Sequence, residues 1–438
     1  MGKGLRRAVV AVLSAVAAWA QPRGMADFPG RIFLGQFGEG WFAEAYALPQ
    51  GDSLWAGVLL RLPYSTLLFE RDGDRFRAVV HVNVEFVDSI GVVRRRLEYR
   101  DTVWTANYEL TQSRDSTLLR ALHGRVPWGT VRARLRLLLQ QQELRAQELE
   151  LGDARGQPQW SSPLVAAPLQ EQIRPFVLGG ALPFGATAAR ILLWSPRLRV
   201  HERWNYRCIQ LRLPEERFWD SVEELSGQLR RLDPMRLEVE SGAEGIVLRP
   251  VPDTLEGWAE CWLPAAMLVP GVYELQLFSE GAGSDTLRWR FRVRWHDMPV
   301  SLRRFGYAVR VMQYLLTDQE QEALQRTPEA ERWQRLWRYW KRRDPTPQTA
   351  YNEAMAVYFR RVDHAYFAFQ SVNEPDGALT DRGKVYILYG PPTRTERELP
   401  VASAPREVWT YDRLQRRFVF ELAADGRWRL QAVENLSQ

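Results

Sequence analysis

Six polar residues near the C-terminal end of the chain are the best candidates for a functional site. They lie in two short segments, Asn352 and Glu353 in the first and Thr380, Asp381, Arg382 and Lys384 in the second. Paired carboxylates about 5–10 Å apart carry out glycoside hydrolysis, so Glu353 and Asp381 could form a hydrolytic pair. An Arg side chain could instead bind the carboxylate of a small molecule or peptide through two parallel hydrogen bonds. We predict a structural ion-pair network as the main role of these residues and carboxylate binding as the second.

The sequence contains none of the familiar catalytic or metal-binding motifs. It has no H-E-x-x-H zinc motif, no C-x-x-C pair, no G-x-S-x-G nucleophile elbow and no Walker-type loop. The five histidines are scattered along the chain, which argues against a histidine metal site. We therefore name no catalytic residue, no cofactor and no metal site, and we favour a chain that is not an enzyme.

Two thirds of the chain have the pattern of short strands separated by turns. Apolar residues alternate with arginines over residues 131–137, which is typical of a strand with one buried face. Glu70–Asp74 carries a hairpin turn signal between two extended segments. Strict alternation returns at residues 287–295. Strands of this length and spacing predict antiparallel β-sandwiches.

These patterns predict a multidomain chain. We expect two tandem all-β Ig-like sandwiches, at residues 27–152 and 160–298, and a C-terminal α+β domain at 299–438. The segment 152–162 is rich in Gly, Pro and polar residues and is predicted to be the linker. Residues 222–232 are predicted to form a short helix.

The C-terminal third has helical rather than strand periodicity over its first half. Thr317 and Glu320 have the spacing of a capping box, and apolar residues recur every three or four positions over 348–370. The run Lys384–Tyr389 is apolar on both sides, so we predict a central strand there. Further strands are predicted at the C-terminus, which makes this domain a set of helices on a small antiparallel sheet.

The first twenty residues have the pattern of a secretory signal peptide. Lys3, Arg6 and Arg7 precede a short apolar run that ends at an A-x-A-like cleavage site. The apolar run is shorter than the roughly 20 residues of a spanning helix. We predict signal peptide 1–20, a periplasmic or secreted protein, and no transmembrane segment after cleavage.

Charge and cysteine content carry less information. Cleavage would lower the formal net charge from +6 to +3, because three basic residues and no acidic ones are lost. We therefore expect no nucleic-acid partner. An exported chain meets an oxidising compartment, so Cys208 and Cys261 could form a disulfide, although sequence cannot establish their geometry.

Three segments together carry a family resemblance. They are Lys341–Pro347, which reads KRRDPTP, Asn352-Glu353, and Gly377–Pro392, which reads GALTDRGKVYILYGPP. This combination resembles the C-terminal signature of the bacterial GWxTD domain-containing proteins. Ala378 stands where the family motif has Trp. The resemblance places the chain in a family of exported proteins but does not imply a biochemical activity.

We therefore expect an exported, non-catalytic protein that makes protein–protein or cell-envelope contacts through its C-terminal GWxTD-like domain. This hypothesis implies a protein or cell-envelope partner. The alternative is a carboxylate-dependent hydrolase or a glycan- or peptide-binding protein. Glycan binding by the β units would require several of the 18 Trp side chains to be exposed in one row.

Overall fold

A computed structural model describes most of the chain beyond its N-terminal segment. The described residues are 41–50, 52–113, 116–139, 142–151, 161, 163–169, 172–199, 203–211, 222–242, 245–279, 286–399 and 404–436. The predicted signal peptide at 1–20 and most of the predicted linker at 152–162 lie outside them. The described residues are mostly β, with 49% strand and 22% helix, and form several sheets in a sandwich-like arrangement. This confirms the predicted class at that coarser level, whereas the predicted domain boundaries remain predictions.

The first set of strands forms two facing sheets. The elements are β1 Phe42–Gln50, β2 Ser53–Pro63, β3 Glu70–Asp72, β4 Arg75–Asp88, β5 Val93–Thr105, α1 Tyr108–Thr111, β6 Thr117–Pro127, β7 Thr130–Leu139 and β8 Gln142–Glu150. One sheet has the order β1-β2-β6, and the other has β3-β4-β7-β8 with β5 paired to β4. Alternate residues of β4 and β7 are fully buried between these sheets, which confirms the alternation predicted at 131–137. The predicted turn at Glu70–Asp74 joins β3 to β4.

A second set of strands follows. Its members are β9 Leu164–Ala166, β10 Leu182–Pro183, β11 Ala189–Trp194, β12 Trp204–Leu211, β13 Leu225–Gln228, β14 Arg230–Arg231, β15 Met235–Gly242, β16 Gly245–Pro252, β17 Trp258–Leu263, β18 Gly271–Ser279 and β19 Thr286–Arg294. They form a sheet of order β10-β19-β18-β12-β13, a sheet of order β14-β17-β11-β9, and the hairpin β15-β16. The helix predicted at 222–232 is wrong, because this segment pairs as β13 and β14 along the edges of the two sheets.

The sheet β1-β2-β6 is covered on both faces. One face contributes to the core of the first set of strands. The other face carries Tyr46, Leu48 and Leu59, which belong to a second core together with Trp194 and Trp258. Period-two alternation places successive side chains on opposite faces, so a strand covered twice needs apolar residues at most positions. That requirement accounts for the long apolar sequence of β2.

Cys208 and Cys261 lie on the two facing sheets of the second set, on β12 and β17. Both are buried and both are free thiols in the structure. Burial raises the pKa of Cys208 to about 12, and it raises the pKa of Cys261 as well, with a further contribution from Cys208. The effect of Cys208 on Cys261 agrees with their positions on facing sheets of one core. The disulfide remains a prediction, because the structure does not contain it.

The C-terminal region combines helices with a small sheet. Its elements are α2 Phe305–Val311, α3 Asp318–Gln325, α4 Arg332–Lys341, α5 Glu353–Ala368, α6 Asp381–Tyr389, β20 Arg394–Glu398, β21 Arg406–Tyr411, β22 Arg416–Leu422 and β23 Trp428–Asn435. The four strands pair antiparallel in chain order. The predicted capping box is confirmed, since Thr317 and Glu320 bond each other's backbone N–H at the start of α3.

The strand predicted at Lys384–Tyr389 is wrong, because this segment belongs to helix α6. Val385 and Ile387 are buried, and Tyr386 and Leu388 are half-buried. A helix enclosed between α5 and the sheet is apolar on both sides, as a central strand is. The decisive local signal was Thr380 followed by an acidic residue, which is a helix start.

Candidate functional site

The signature segment begins with a tight approach between two helices. Gly377–Leu379 forms a 3-10 turn whose first residue lies against the end of α5. A Cβ atom on Gly377 would collide with the carbonyl oxygen of Ala365, and Ala378 is fully buried. A Cβ atom on Gly383 would collide in turn with the carbonyl of Gly377. Both glycines are therefore required for close backbone contact rather than for an unusual φ angle.

Thr380 and Asp381 start α6 and attach it to the sheet. The Thr380 hydroxyl accepts a hydrogen bond from Gly383 N at 2.9 Å and donates to Gly377 O at 2.8 Å. Asp381 Oδ2 accepts a hydrogen bond from Leu430 N at 2.8 Å, on strand β23. These bonds provide partners for N–H groups at the N-terminus of α6 and hold this helix against strand β23. Neither side chain is left free for chemistry.

Arg382 is the charged centre of this contact. Its Nη1 atom lies 3.3 Å from Glu407 Oε2, and the side chains are only 8% and 6% exposed. The guanidinium lies over the rings of Phe369 and Trp428. Burial lowers the pKa of Arg382, and the charge of Glu407 opposes that shift. Trp409 Nε1 also donates to Glu407, at 2.7 Å. Arg382 thus forms a buried ion pair, but with Glu407 of the sheet and not with an acidic residue of the signature segments, and Lys384 is exposed beside it.

Asn352 and Glu353 are at the far end of α5. Asn352 is completely buried, caps α5 through Met355 N, and donates to Trp340 O at 2.8 Å. Glu353 accepts a hydrogen bond of 2.5 Å from the Thr346 hydroxyl. The asparagine therefore joins α4 to α5, and the glutamate holds the connection between them.

The structure divides the six predicted residues between two places. Arg382 contacts Phe369 at the C-terminal end of α5, whereas Glu353 is its first residue. At a rise of 1.5 Å per residue, these ends are separated by about 24 Å. The carboxylates of a glycosidase lie within about 10 Å of each other. Glu353 and Asp381 are therefore not arranged as such a pair.

A groove opens where α4, α5 and α6 meet, with a cavity volume of about 480 Å³. We call it the helix groove. Its apolar lining includes Leu315, Trp340, Val357, Tyr358, Ile387 and Leu388, and its charged lining consists of Arg343, Glu353 and Arg361. A volume of this size is within the range of roughly 300–1,000 Å³ that is usual for ligand sites. Glu353 is the one predicted candidate residue that lines it.

The polar groups of the helix groove are only partly occupied. Arg361 Nη1 donates to the carbonyls of Ile387 and Leu388, both at 3.2 Å, which completes the C-terminal end of α6. Arg343 lies 3.8 Å from the centre of the Tyr339 ring. Trp340 Nε1 is buried and has no hydrogen-bond partner in the described part of the chain. An unsatisfied buried donor costs about 1–3 kcal/mol, and this one lies inside the domain, so the polar groups open to an occupant are those of Arg343, Glu353 and Arg361.

The helix groove was not predicted from the sequence, because the residues that line it have the ordinary pattern of packed helices. Trp340 and Tyr358 belong to apolar faces that predict core packing, and Arg343 follows α4, where cations interact favourably with the helix dipole. No spacing rule distinguishes a groove wall from a buried face.

A second cavity of about 370 Å³ lies among the β strands. Its wall includes Gln50, Trp55 and His123, with Arg236 and Glu238 at the rim. Burial lowers the pKa of His123, so this imidazole is neutral at neutral pH. The two rim residues form an ion pair of 2.7 Å. The cavity therefore presents apolar side chains, a neutral imidazole and charged side chains that are already in ion pairs.

One buried charge cluster in the β region was also missed. Glu260 is fully buried and accepts hydrogen bonds from Arg190 at 2.6 Å, Arg230 at 2.8 Å and the indole of Trp262 at 2.9 Å. Every partner donates to the carboxylate, which is the arrangement of a structural network. Within the described ranges, no group of three or more His, Cys, Asp or Glu could hold a metal ion, and no helix is long and apolar enough to cross a membrane.

Comparison with solved structures finds only remote similarity. A glycosyl hydrolase family 2 member from Bacteroides cellulosilyticus is 8% identical over 57% of this chain and 28% of its own, with a TM-score of 0.17. The C-terminal domain of the antigen I/II-family protein AspA from Streptococcus pyogenes is 6% identical over 57% of this chain and 99% of its own, with a TM-score of 0.15. These TM-scores are too low to indicate a shared overall fold.

Comparison with protein families gives a specific match, unlike the comparison with solved structures. No curated protein matches the chain. Residues 285–427 match the family model of the GWxTD domain. This range contains α2 to α6, most of the sheet β20 to β23 and all six predicted site residues. The resemblance inferred from the signature is confirmed, and the chain is a protein that contains a GWxTD domain.

Proposed function

We propose that this chain is an exported, non-catalytic protein that contacts a protein partner or the cell envelope through its GWxTD domain. In this proposal, two tandem Ig-like sandwiches hold an α+β domain, and the helix groove is the contact site. The basic and apolar N-terminal pattern supports export. The use of the signature residues inside the fold supports a role other than catalysis.

The observation that carries the proposal is the contrast between the signature and the groove. Thr380, Asp381 and Arg382 are engaged with backbone or with Glu407, so the domain has little free chemistry there. The groove has an apolar floor, and Val357 on its wall is 41% exposed. Exposed apolar surface rimmed by polar groups is typical of a protein-binding site.

The charges of the rim select among protein partners. Arg343 and Arg361 contribute two positive charges and Glu353 one negative charge, so the rim is positive. We therefore propose a partner segment with one large apolar side chain flanked by acidic residues. The apolar side chain would enter the groove beside the ring of Trp340, and its acidic neighbours would face Arg343 and Arg361.

The alternative functions have less support. A carboxylate-dependent hydrolase would need two neighbouring acids, and the two candidates occupy opposite ends of α5. Glycan binding on a row of tryptophans also lacks support, because the strongly exposed Trp side chains of the described residues are Trp104 and Trp128. They lie at opposite ends of the first set of strands, since Trp104 near the end of β5 pairs with Arg77 at the start of β4, whereas Trp128 lies in the turn after β6. Peptide binding is the alternative that agrees with the groove.

The test uses the full chain against a displayed library of random peptides. Val357→Asp places a negative charge in the groove, and Val372→Asp places the same charge on a side chain that is 99% exposed elsewhere in the domain. We expect selected peptides with an apolar anchor between acids. The groove variant should bind them at least about tenfold more weakly, since burying one large apolar side chain contributes about 1.5–3 kcal/mol. Equal binding by both variants would reject the groove as the site.

A further inference from the structure

Two neighbouring turns at one end of the first set of strands expose apolar side chains. The turn between β4 and β5 presents Ile90, which is 81% exposed, followed by Val92 at 45% and Val93 at 41%. The turn between β6 and β7 presents Trp128, which is 39% exposed. We call these four residues the tip surface. Single exposed apolar residues are common, whereas a cluster on protruding turns indicates an interaction site.

The pairing of the strands brings the two turns together. Asp88, at the end of β4, is the register partner of Thr130, at the start of β7. Directly opposite residues of antiparallel strands lie about 5 Å apart between Cα atoms. Thr130 also closes its own turn by donating to Pro127 O at 2.8 Å. The apolar residues of both turns therefore project from the same end of the sandwich.

The first turn is held in one conformation by a single carboxylate. Asp88 Oδ1 accepts hydrogen bonds from Ile90 N at 3.1 Å and Val92 N at 2.9 Å, and Oδ2 accepts from Arg94 Nε at 2.9 Å. Burial alone would raise the pKa of Asp88, but the bond from Val92 and the charge of Arg94 lower it below its usual value. The carboxylate is therefore ionised at neutral pH. Ile90 is presented by an ordered turn, which reduces the entropy lost on binding.

Basic residues surround the tip surface. Arg95 lies across Gly124 and donates to Arg125 O at 3.0 Å. Neither arginine forms an ion pair within the described residues, and both are exposed. The other arginines near these turns do have acidic partners, as Arg94 has in Asp88. Positive charge next to the apolar tips is thus available to an anionic partner.

We propose that the tip surface docks the protein onto an anionic lipid bilayer. Ile90 and Val92 would enter the boundary between head groups and acyl chains, and Trp128 would lie at the head-group level, where Trp is enriched. Arg95 and Arg125 would face lipid phosphates, which attract basic residues near the surface. Two protruding turns can penetrate a bilayer surface, whereas a protein partner would require a concave site to receive both of them. This contact uses a different region from the helix groove, and neither proposal depends on the other.

The bilayer contact would be peripheral and reversible. A few apolar side chains and two arginines give an affinity that rises with buried apolar area and with the content of anionic lipid. Salt should weaken the contact, because the attraction between exposed charges is screened over about 10 Å at 0.1 M ionic strength.

The test measures flotation of the full chain with vesicles. Vesicles of phosphatidylcholine with phosphatidylglycerol are compared with vesicles of phosphatidylcholine alone. We expect binding to the anionic vesicles and at least about tenfold weaker binding of the double variant Ile90→Ser/Trp128→Ser, from the transfer free energy of the lost side chains. Val372→Ser, an exposed apolar residue outside the tip surface, is the matched control and should bind as the unsubstituted chain does. Unchanged unfolding midpoints establish that each variant is folded.

A second measurement reports the location of the tip directly. Ser89→Cys places a reactive thiol on the exposed turn, while Cys208 and Cys261 are buried and resist labelling. An environment-sensitive dye at this position should shift to shorter wavelength on anionic vesicles, and a dye at Val372→Cys should not. The proposal is overturned if the unsubstituted chain binds neither vesicle, or if binding survives the double substitution. It is also overturned if the tip variants lose a protein complex while vesicles are never bound.

Discussion

The buried pair between Arg382 and Glu407 offers the sharpest test of what the GWxTD signature does. At 3.3 Å and an effective dielectric of about 20, the direct attraction between the charges is about 5 kcal/mol. Desolvation of two charges costs several kcal/mol for each, so the pair as a whole contributes little net stability. Removing one partner is different, because the remaining charge stays buried.

The two single substitutions should therefore have unequal effects. Glu407→Gln removes the nearest counter-ion of Arg382, whose side chain is 8% exposed, and we expect a loss of about 3–5 kcal/mol in the free energy of opening. Arg382→Met should cost less, because Glu407 keeps the indole of Trp409 and the exposed Arg397, whose Nε atom is 3.5 Å away. The double variant Arg382→Met/Glu407→Gln should recover most of the loss, since neither buried charge remains.

Native-state hydrogen exchange of the amides in α6 and β21 is the appropriate assay, because it reports the free energy of opening of this region alone. Glu421→Gln is the control, since its ion pair with Arg406 is on the same sheet but is 30% and 46% exposed. A surface pair contributes only about 0–1 kcal/mol. If Glu407→Gln changes protection no more than this control, or if the double variant is as unstable as the single, the reasoning about the buried pair is refuted.

Three further predictions concern caps, acid stability and thiols. Thr380→Ala should cost about 1 kcal/mol in the same exchange assay, because it removes the cap of α6, while Thr380→Ser should retain it. Burial opposes ionisation of Glu260, but hydrogen bonds from the neighbouring indole and from Arg190 lower its pKa below 4.5. Its stabilisation is then complete above pH 4.5 and is lost as pH falls through the lower folded-state value, so acid titrations of Glu260→Gln should be flatter over that interval. Cys208 and Cys261 should react with a thiol reagent only after unfolding, because burial raises both pKa values; no free thiol after unfolding would instead establish the disulfide.

Local sequence patterns predicted the structure correctly where one local interaction dominates a segment. Alternation in β7 predicted a strand with one buried face, because a side-chain period of two permits only one orientation of an apolar set. The capping box at Thr317 predicted the start of α3, because both hydrogen bonds are made within four residues. The GWxTD signature predicted the family. In the structure, three of its residues, Gly377, Thr380 and Gly383, form one local contact at the start of α6.

Tertiary contacts decided the remaining features. The apolar run Lys384–Tyr389 fits a helix or a strand; the cap at Thr380 begins a helix, and the position of this helix between α5 and the sheet accounts for its apolar residues on both sides. The distance between Glu353 and Asp381 depends on the antiparallel packing of α5 and α6, which places the start of α6 at the C-terminal end of α5. The spacing of these residues in the sequence does not predict that arrangement. Local periodicity and residue type were enough to predict the β-rich class, the GWxTD domain and the polar residues of its signature. Tertiary packing determined that Asn352, Thr380, Asp381 and Arg382 make internal contacts and that Glu353 lines a groove, because a groove is formed by segments distant in sequence.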